Sequence, residues 1–177
     1  MFESIRKYFQ ERALRKNAST VPTGLLPLSE IGSMTVLLDW ERREFDECKN
    51  DLAYFCRLHG IRLKMFFFNF QKIESDEGLI TSVSNTVLRR DLTWRGTFKE
   101  EKNHLLFANP SDILIVLAEY SDFPTEYFVK CSRARFKVGR TQLPGQPYDL
   151  ILSNPEGKEC SQTEVFKAVK DILLKIS

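Results

Sequence analysis

Acid and aromatic side chains stand together just after two of the apolar runs in this chain. Asp39-Trp40 follows Met34-Thr35-Val36-Leu37-Leu38, and Glu119-Tyr120 comes soon after Asp112-Ile113-Leu114-Ile115-Val116-Leu117. A carboxylate accepts hydrogen bonds from hydroxyl groups, and an aromatic face covers the apolar side of a ring. Such pairs in a crevice suit a sugar or a nucleoside. Asn69 ends the run from Arg62 to Phe68, and Arg140 follows Phe136-Lys137-Val138-Gly139. If these runs are parallel strands, Asp39, Trp40, Asn69, Glu119, Tyr120 and Arg140 gather at the carboxyl edge of one sheet, where open α/β sheets bind ligands.

Each of these residues also has a plain structural reading. Asp39 is a good helix N-cap, and Trp40 can simply cover the sheet edge. Asp39 with Glu119 makes an acid–base couple of low specificity, because such pairs can always be drawn from 24 acidic residues. Arg140 at the end of its strand suits a phosphate contact, but the charge-rich stretch from Arg133 to Arg140 reads better as a solvated edge strand guarded by its charges.

What is missing narrows the chemistry further. A dinucleotide site of the usual kind needs glycines in the first strand–helix turn, so that backbone can approach a pyrophosphate. The turn here is Asp39-Trp40-Glu41-Arg42, without glycine and with two acids. No P-loop and no G-x-S-x-G elbow appears, and two histidines, His59 and His104, give little support for a Ser/His/Asp triad. Cys48, Cys56, Cys131 and Cys160 form no C-x-x-C pair, and the histidines do not complete a zinc set. Cys48 and Cys56 share the apolar face of a helical pattern and read as small core residues, which fits a reducing compartment. No metal and no cofactor is expected.

A net charge of +2 over 177 residues gives no case for a nucleic-acid partner. The stretch from Met1 to Lys7 carries charges where a secretion signal needs an apolar core of about 7–15 residues. No segment approaches the ~20 apolar residues of a membrane span. The expected location is the cytoplasm.

The elements that must position these residues follow from periodicity. Residues 1–20 read as an N-terminal amphipathic helix, running from Phe2 to about Asn17. Phe2, Ile5, Phe9 and Ala13 recur on one stripe, and Arg6, Lys7, Arg12, Arg15 and Lys16 outnumber Glu3 and Glu11 elsewhere. Such a helix suits a protein partner or an anionic membrane surface, or packs on its own domain. Residues 21–31, with Pro22, Gly24 and Pro27, read as a linker, and residues 32–177 as one domain. There apolar runs alternate with helical patterns, the signature of a parallel sheet wrapped by helices.

The run Met34–Leu38 is the first strand, followed by a helix from about Arg42 to Leu58 that buries Phe45, Cys48, Leu52, Phe55 and Cys56. Arg62–Phe68 is the second strand. Gln71 to Gly78 reads as a loop, Asn85–Arg90 as a short third strand, and Glu101–Ala108 as a short helix. After the strand Asp112–Leu117, Pro124 suits the first turn of a helix reaching about Arg133. Phe136–Gly139 and Tyr148–Leu152 are two more strands, and Ser161 with Glu164 forms a capping box at the start of the last helix. The fold class is therefore α/β: a three-layer Rossmann-like domain, its sheet mostly parallel with helices on both faces, in the strand order 3-2-1-4-5-6.

Four stretches carry a resemblance. Arg12-Ala13-Leu14-Arg15-Lys16-Asn17, Arg90-Asp91-Leu92-Thr93-Trp94-Arg95-Gly96, Ser111-Asp112-Ile113-Leu114-Ile115 and Cys131-Ser132-Arg133-Ala134-Arg135-Phe136-Lys137-Val138-Gly139 resemble a family of small uncharacterised bacterial proteins with a domain of unknown function. The resemblance covers nearly the whole chain and implies a compact α/β domain with no assigned activity. In the family this chain resembles, an acidic residue often stands where this chain has Val116, so the resemblance implies no shared acidic site there. The strand from Asp112 to Leu117, the helix after it and the strand ending at Gly139 are also similar to the N-terminal half of heptosyltransferase-type glycosyltransferases. That likeness implies a fold and not a function.

Two functions are left. The first is a non-catalytic binding or interaction module that docks through the stripe of Phe2, Ile5, Phe9 and Ala13. The alternative is a small-ligand domain that holds a nucleotide or sugar in the crevice near Asp39, Trp40, Asn69 and Glu119. Without a catalytic constellation, the reading leans away from an enzyme.

Overall fold

The computed structural model describes residues 2–71 and 85–176, and in it the apolar runs lie side by side in one parallel sheet. The strands are β1 (Ser33–Leu38), β2 (Arg62–Asn69), β3 (Thr86–Leu88), β4 (Ile113–Val116), β5 (Phe136–Gly139) and β6 (Leu150–Ile151). Their order is β3-β2-β1-β4-β5-β6, as expected from the rules of connection, and every neighbouring pair is parallel. The order turns back between β1 and β4, which makes the gap between their carboxyl ends the switch point of the sheet.

Five helices among the described residues cover the two faces: α1 (Phe2–Asn17), α2 (Phe45–Leu58), α3 (Glu100–Phe107), α4 (Phe123–Cys131) and α5 (Gln162–Lys175). Alternation along each strand divides the core in two. Met34, Val36 and Leu38 of β1 and Ile113 and Ile115 of β4 face α2 and α5, where they meet Leu52, Phe55, Phe166 and Leu173. Leu37, Leu114 and Val116 face the other way, toward α3 and α4. The aromatic run of β2 obeys the same parity. Phe67 joins the α2/α5 side, and Phe66 and Phe68 join the α3/α4 side, where both lie against Phe128.

Local signals explain most boundaries. Ser161 Oγ accepts from Glu164 N at 3.1 Å, and Glu164 Oε2 accepts from Ser161 N at 2.8 Å, so the expected capping box starts α5. Asp122 caps α4 by accepting from Thr125 N at 2.8 Å, and Pro124 follows in the first turn. At the opposite edge of the sheet, Asp112 Oδ2 accepts from Gly32 N, Ser33 N and Ser33 Oγ at 2.9–3.0 Å and holds the start of β1 beside β4.

Other expectations need correction. The second helix starts at Phe45 and not near Arg42, because residues 40–44 turn after the strand. Its N-cap is Glu44, with no side-chain cap, so Asp39 does not cap it. The third strand is shorter than expected, and Arg89–Asp91 forms a 3-10 turn. The expected loop from Gln71 to Gly78 lies, beyond Gln71, outside the described residues. β5 is not an edge strand, because β6 pairs with it. Lys137 and Arg140, taken as part of a solvated charged strand, are both only 6% exposed. Residues 18–31 are tied to the domain by Ser19 N to Lys130 O, Gly24 N to Arg135 O and Leu28 N to Ile176 O at 2.8–3.2 Å. Leu28 and Ile31 are buried in the α2/α5 core.

Candidate functional site

Asp39 is held at the carboxyl end of β1 by a side chain far away in sequence. The Gln162 amide, fully buried, accepts from Asp39 N at 2.8 Å and donates to Asp39 O at 2.9 Å. The Asp39 carboxylate then turns back on the chain: its Oδ1 accepts from Glu41 N at 3.1 Å and from the Tyr120 hydroxyl at 3.1 Å. Burial and the neighbouring Asp39 push the Tyr120 phenol far above its ordinary value. Tyr120 therefore stays a hydrogen-bond donor at any physiological pH.

Trp40, Asn69 and Tyr120 line one cavity of about 250 Å³ together with Glu41, Gln71 and Asp122. Asn69 Oδ1 accepts from Gln71 N at 3.2 Å, and Gln71 Nε2 donates to Glu41 Oε1 at 2.6 Å. The Asn69 amide nitrogen has no protein partner among the described residues and is the cavity's spare donor. With two carboxylates, two amides and an indole face, this lining suits hydroxyl groups and rejects phosphate.

Glu119 and Arg140 lie outside this lining, in a network that meets it at Asp39. Arg42 reaches Glu119 at 2.9 Å, Glu159 at 2.6 Å and Asp39 at 3.4 Å. The hydrogen bond to Glu159 raises the Arg42 pKa, and burial opposes it. Arg140 pairs with the other oxygen of Glu119 at 2.9 Å and donates to Leu117 O at 3.2 Å, Cys160 O at 2.6 Å and Asn154 Oδ1 at 3.1 Å. Its side chain is 3% exposed. Arg140 is therefore a buried tie between β4, β5 and the segment before α5, and the expected phosphate contact is not available to it. The Arg42 guanidinium fills the switch point that a ligand occupies in related architectures.

Sequence reasoning found four of the residues at the cavity or directly behind it, Asp39, Trp40, Asn69 and Tyr120, and separated none of them from Glu119 and Arg140. It missed Arg42, Gln162, Asn154 and Glu159. Gln162 sits beside the Ser161 capping box, which was the one available signal; the others carry none.

The stripe of α1 also divides. Ala13 and Leu14 pack on the α3/α4 side of the domain, and the Phe9 ring lies against the 93–97 turn, edge-on to Trp94 at 5.4 Å and under the Arg95 guanidinium at 5.1 Å. Phe2 and Ile5 stay outside, 82% and 46% exposed, and Tyr8 and Trp94 are exposed beside them. No group of three or more His, Cys, Asp or Glu among the described residues could hold a metal ion. No helix among them is long and apolar enough to cross a membrane.

A family model described as a family of unknown function (DUF6913) matches residues 3–172. No curated protein and no solved structure matches the chain.

Proposed function

The chain belongs to this family of unknown function, and we propose from its surface that it is a non-catalytic binding domain that meets an anionic membrane surface through α1. The observation that carries this reading is the half-docked helix. Phe9, Ala13 and Leu14 anchor it, while Phe2, Ile5, Tyr8 and Trp94 remain exposed among cations. Along α1, Arg6, Lys7, Arg12, Arg15 and Lys16 stand against Glu3 and Glu11. Burying Phe2 and Ile5 in the headgroup boundary is worth about 1.5–3 kcal/mol each, and each unneutralised cation near an anionic surface about 1 kcal/mol. That total supports reversible attachment. A cytoplasmic location belongs to the same proposal, with Cys48, Cys56 and Cys131 as buried free thiols.

Cosedimentation with vesicles rich in phosphatidylglycerol tests it. Binding is expected at low salt, is weakened by added salt, and is lost in the Phe2→Ser/Ile5→Ser variant, whose melting temperature stays that of wild type because both side chains are exposed. Equal binding to neutral vesicles, or full binding by the variant, overturns the reading.

The cavity favours a second reading. The spare amide of Asn69 beside the indole of Trp40 and the two acids suits a sugar or nucleoside. A thermal-shift screen against those compounds checks it; a ligand at 100 times its dissociation constant stabilises the fold by about 2.7 kcal/mol.

A further inference from the structure

The groove between α1 and the turn of residues 93–97 gathers Arg12 and Lys16, two of the α1 cations, with Arg95 around one cavity, a chemistry more specific than surface attraction. It encloses about 440 Å³, within the roughly 300–1,000 Å³ typical of small-molecule sites. Arg12 and Lys16, one turn apart on α1, line it together with Arg95 from the turn, and Ala13, Thr97 and Tyr127 complete it. Its lining contains no carboxylate. None of the three cations has a carboxylate within 4.0 Å among the described residues, and the three are gathered around one cavity. Like charges held together without an acid repel one another, and an anion between them relieves that repulsion.

The groove is also built in advance. Arg95 lies over the rings of Phe9 at 5.1 Å and Trp94 at 5.3 Å, which restricts its guanidinium before any ligand arrives. Its carbonyl accepts from Gln10 Nε2 at 2.7 Å, tying the turn to α1. Thr93 N donates to Thr97 O at 2.7 Å and closes the turn. Gly96 permits it with φ +87°, where a Cβ would also meet the Phe123 ring at 3.1 Å.

We propose that this groove binds a phosphate ester, with the phosphate between Arg12, Lys16 and Arg95 and the organic part over Ala13 and Tyr127. Guanidinium forks match phosphate oxygens two at a time. The volume far exceeds what a bare phosphate fills, which is why the ligand is an ester. The proposal does not depend on membrane attachment.

With Trp40 replaced by Phe, Trp94 is the single tryptophan, because the chain has two. Its fluorescence then reads the groove during titration with inorganic phosphate, glycerol 3-phosphate and adenosine monophosphate. We expect a saturable change, at lower concentration for the esters than for inorganic phosphate. The Arg12→Ala/Lys16→Ala variant, altered only on solvent-facing side chains, should keep its melting temperature and bind the esters at least about tenfold more weakly. A parallel arm uses vesicles containing phosphatidic acid. A response to soluble esters that the double variant loses identifies a small-molecule ligand. A response to phosphatidic acid vesicles alone, absent with phosphatidylglycerol vesicles and lost in the double variant, identifies a lipid phosphate. An equal response to both vesicles reports only surface attraction and overturns the proposal. No response in either arm, or equal responses from wild type and double variant, overturns the proposal. The Phe2→Ser/Ile5→Ser variant should retain ester binding, so failure of the membrane reading and failure of the groove are told apart.

Discussion

Raising the pH should unfold this protein through its cysteines. Burial pushes the Cys48 thiol up to about 12 from an ordinary value of 9.0, with repulsion from Asp51 and Glu44 adding to it. Burial pushes Cys56 and Cys131 up to about 11. A raised native pKa means that the contribution to stability is complete below about pH 9 and is lost as the pH climbs toward 11–12. At pH 10 the unfolded thiol is mostly thiolate while the buried one keeps its proton, and each such group favours unfolding by about 1.4 kcal/mol.

Three groups together remove about 4 kcal/mol, a large share of the ~5–15 kcal/mol that holds an ordinary domain. Tyr127, pushed up to about 12 by burial, and the still higher Tyr120 and Tyr148 add loss in the same direction above pH 10. Lys137 acts the other way: burial lowers its pKa, so that group recovers some stability as the pH rises toward its ordinary 10.5. Urea titrations followed by tryptophan fluorescence at pH 7.5, 8.5, 9.5 and 10 should show the unfolding free energy falling by about 4 kcal/mol over the series. In the native protein at pH 8 only Cys160, the half-buried one, should react readily with a thiol reagent. Equal midpoints at pH 7.5 and 10, or rapid native labelling of Cys48, would refute the reasoning and reopen a thiolate role for these residues.

Four further outcomes follow from the network and the edge. Arg140→Ala should cost about 3–5 kcal/mol in chemical denaturation, because it leaves Glu119 and three oxygen acceptors facing an empty buried space, while Arg42→Ala, at a half-exposed site, should cost only about 1 kcal/mol. Gln162→Ala strips the buried N–H and C=O of Asp39 of their partners, and a loss of roughly 2–3 kcal/mol is expected in the same assay. Gly139→Ala places a Cβ into the Tyr148 ring, so the variant should lose about 1–3 kcal/mol or fail to fold. Trp40→Ala should lower the melting temperature less than loss of a fully buried tryptophan, which costs roughly 3–5 kcal/mol, because Trp40 keeps one face toward the cavity.

The sheet was legible because fully buried parallel strands write themselves as unbroken apolar runs, and β1 and β4 are buried along their whole length. The carboxyl-edge residues were legible for the same reason: whatever follows such a run must lie at the edge. Beyond that point the decisive contacts are long-range. Asp39 looks like a cap because a cap is a local device, yet its backbone answers to Gln162, 123 positions away. The stretch from Arg133 to Arg140 looks like a guarded edge because charge along a strand usually meets water. The two-residue strand β6 was enough to make β5 interior, and Lys137 found Val129 O at 2.8 Å instead of solvent. Phe2, Ile5, Phe9 and Ala13 shared one stripe by period, but only the last two reach the domain, since α4 and the 93–97 turn cover one end of α1 and leave the other bare.

The position of Arg42 decides where on this sheet a ligand can go. A parallel sheet offers its best site at the gap between β1 and β4, and enzymes of this architecture keep it open with small residues so that a phosphate can approach backbone N–H groups. This chain places Arg42 there instead. The guanidinium takes the place of an incoming cation and joins Asp39, Glu119 and Glu159, so the three acids are engaged internally and the gap has no vacancy for an anion. Among the described residues a cavity opens on the β2 side, lined by Trp40 and Asn69, and that lining is acidic. A cluster of positive charge without a carboxylate in its lining lies elsewhere, in the groove formed by Arg12 and Lys16 of α1 and Arg95 of the 93–97 turn. Acids and a cation paired with them thus hold the edge where the fold usually works, and the cationic groove lies away from it. A phosphate ligand added to the whole protein should therefore perturb Trp94 and leave Trp40 unchanged, whereas an uncharged sugar should do the reverse.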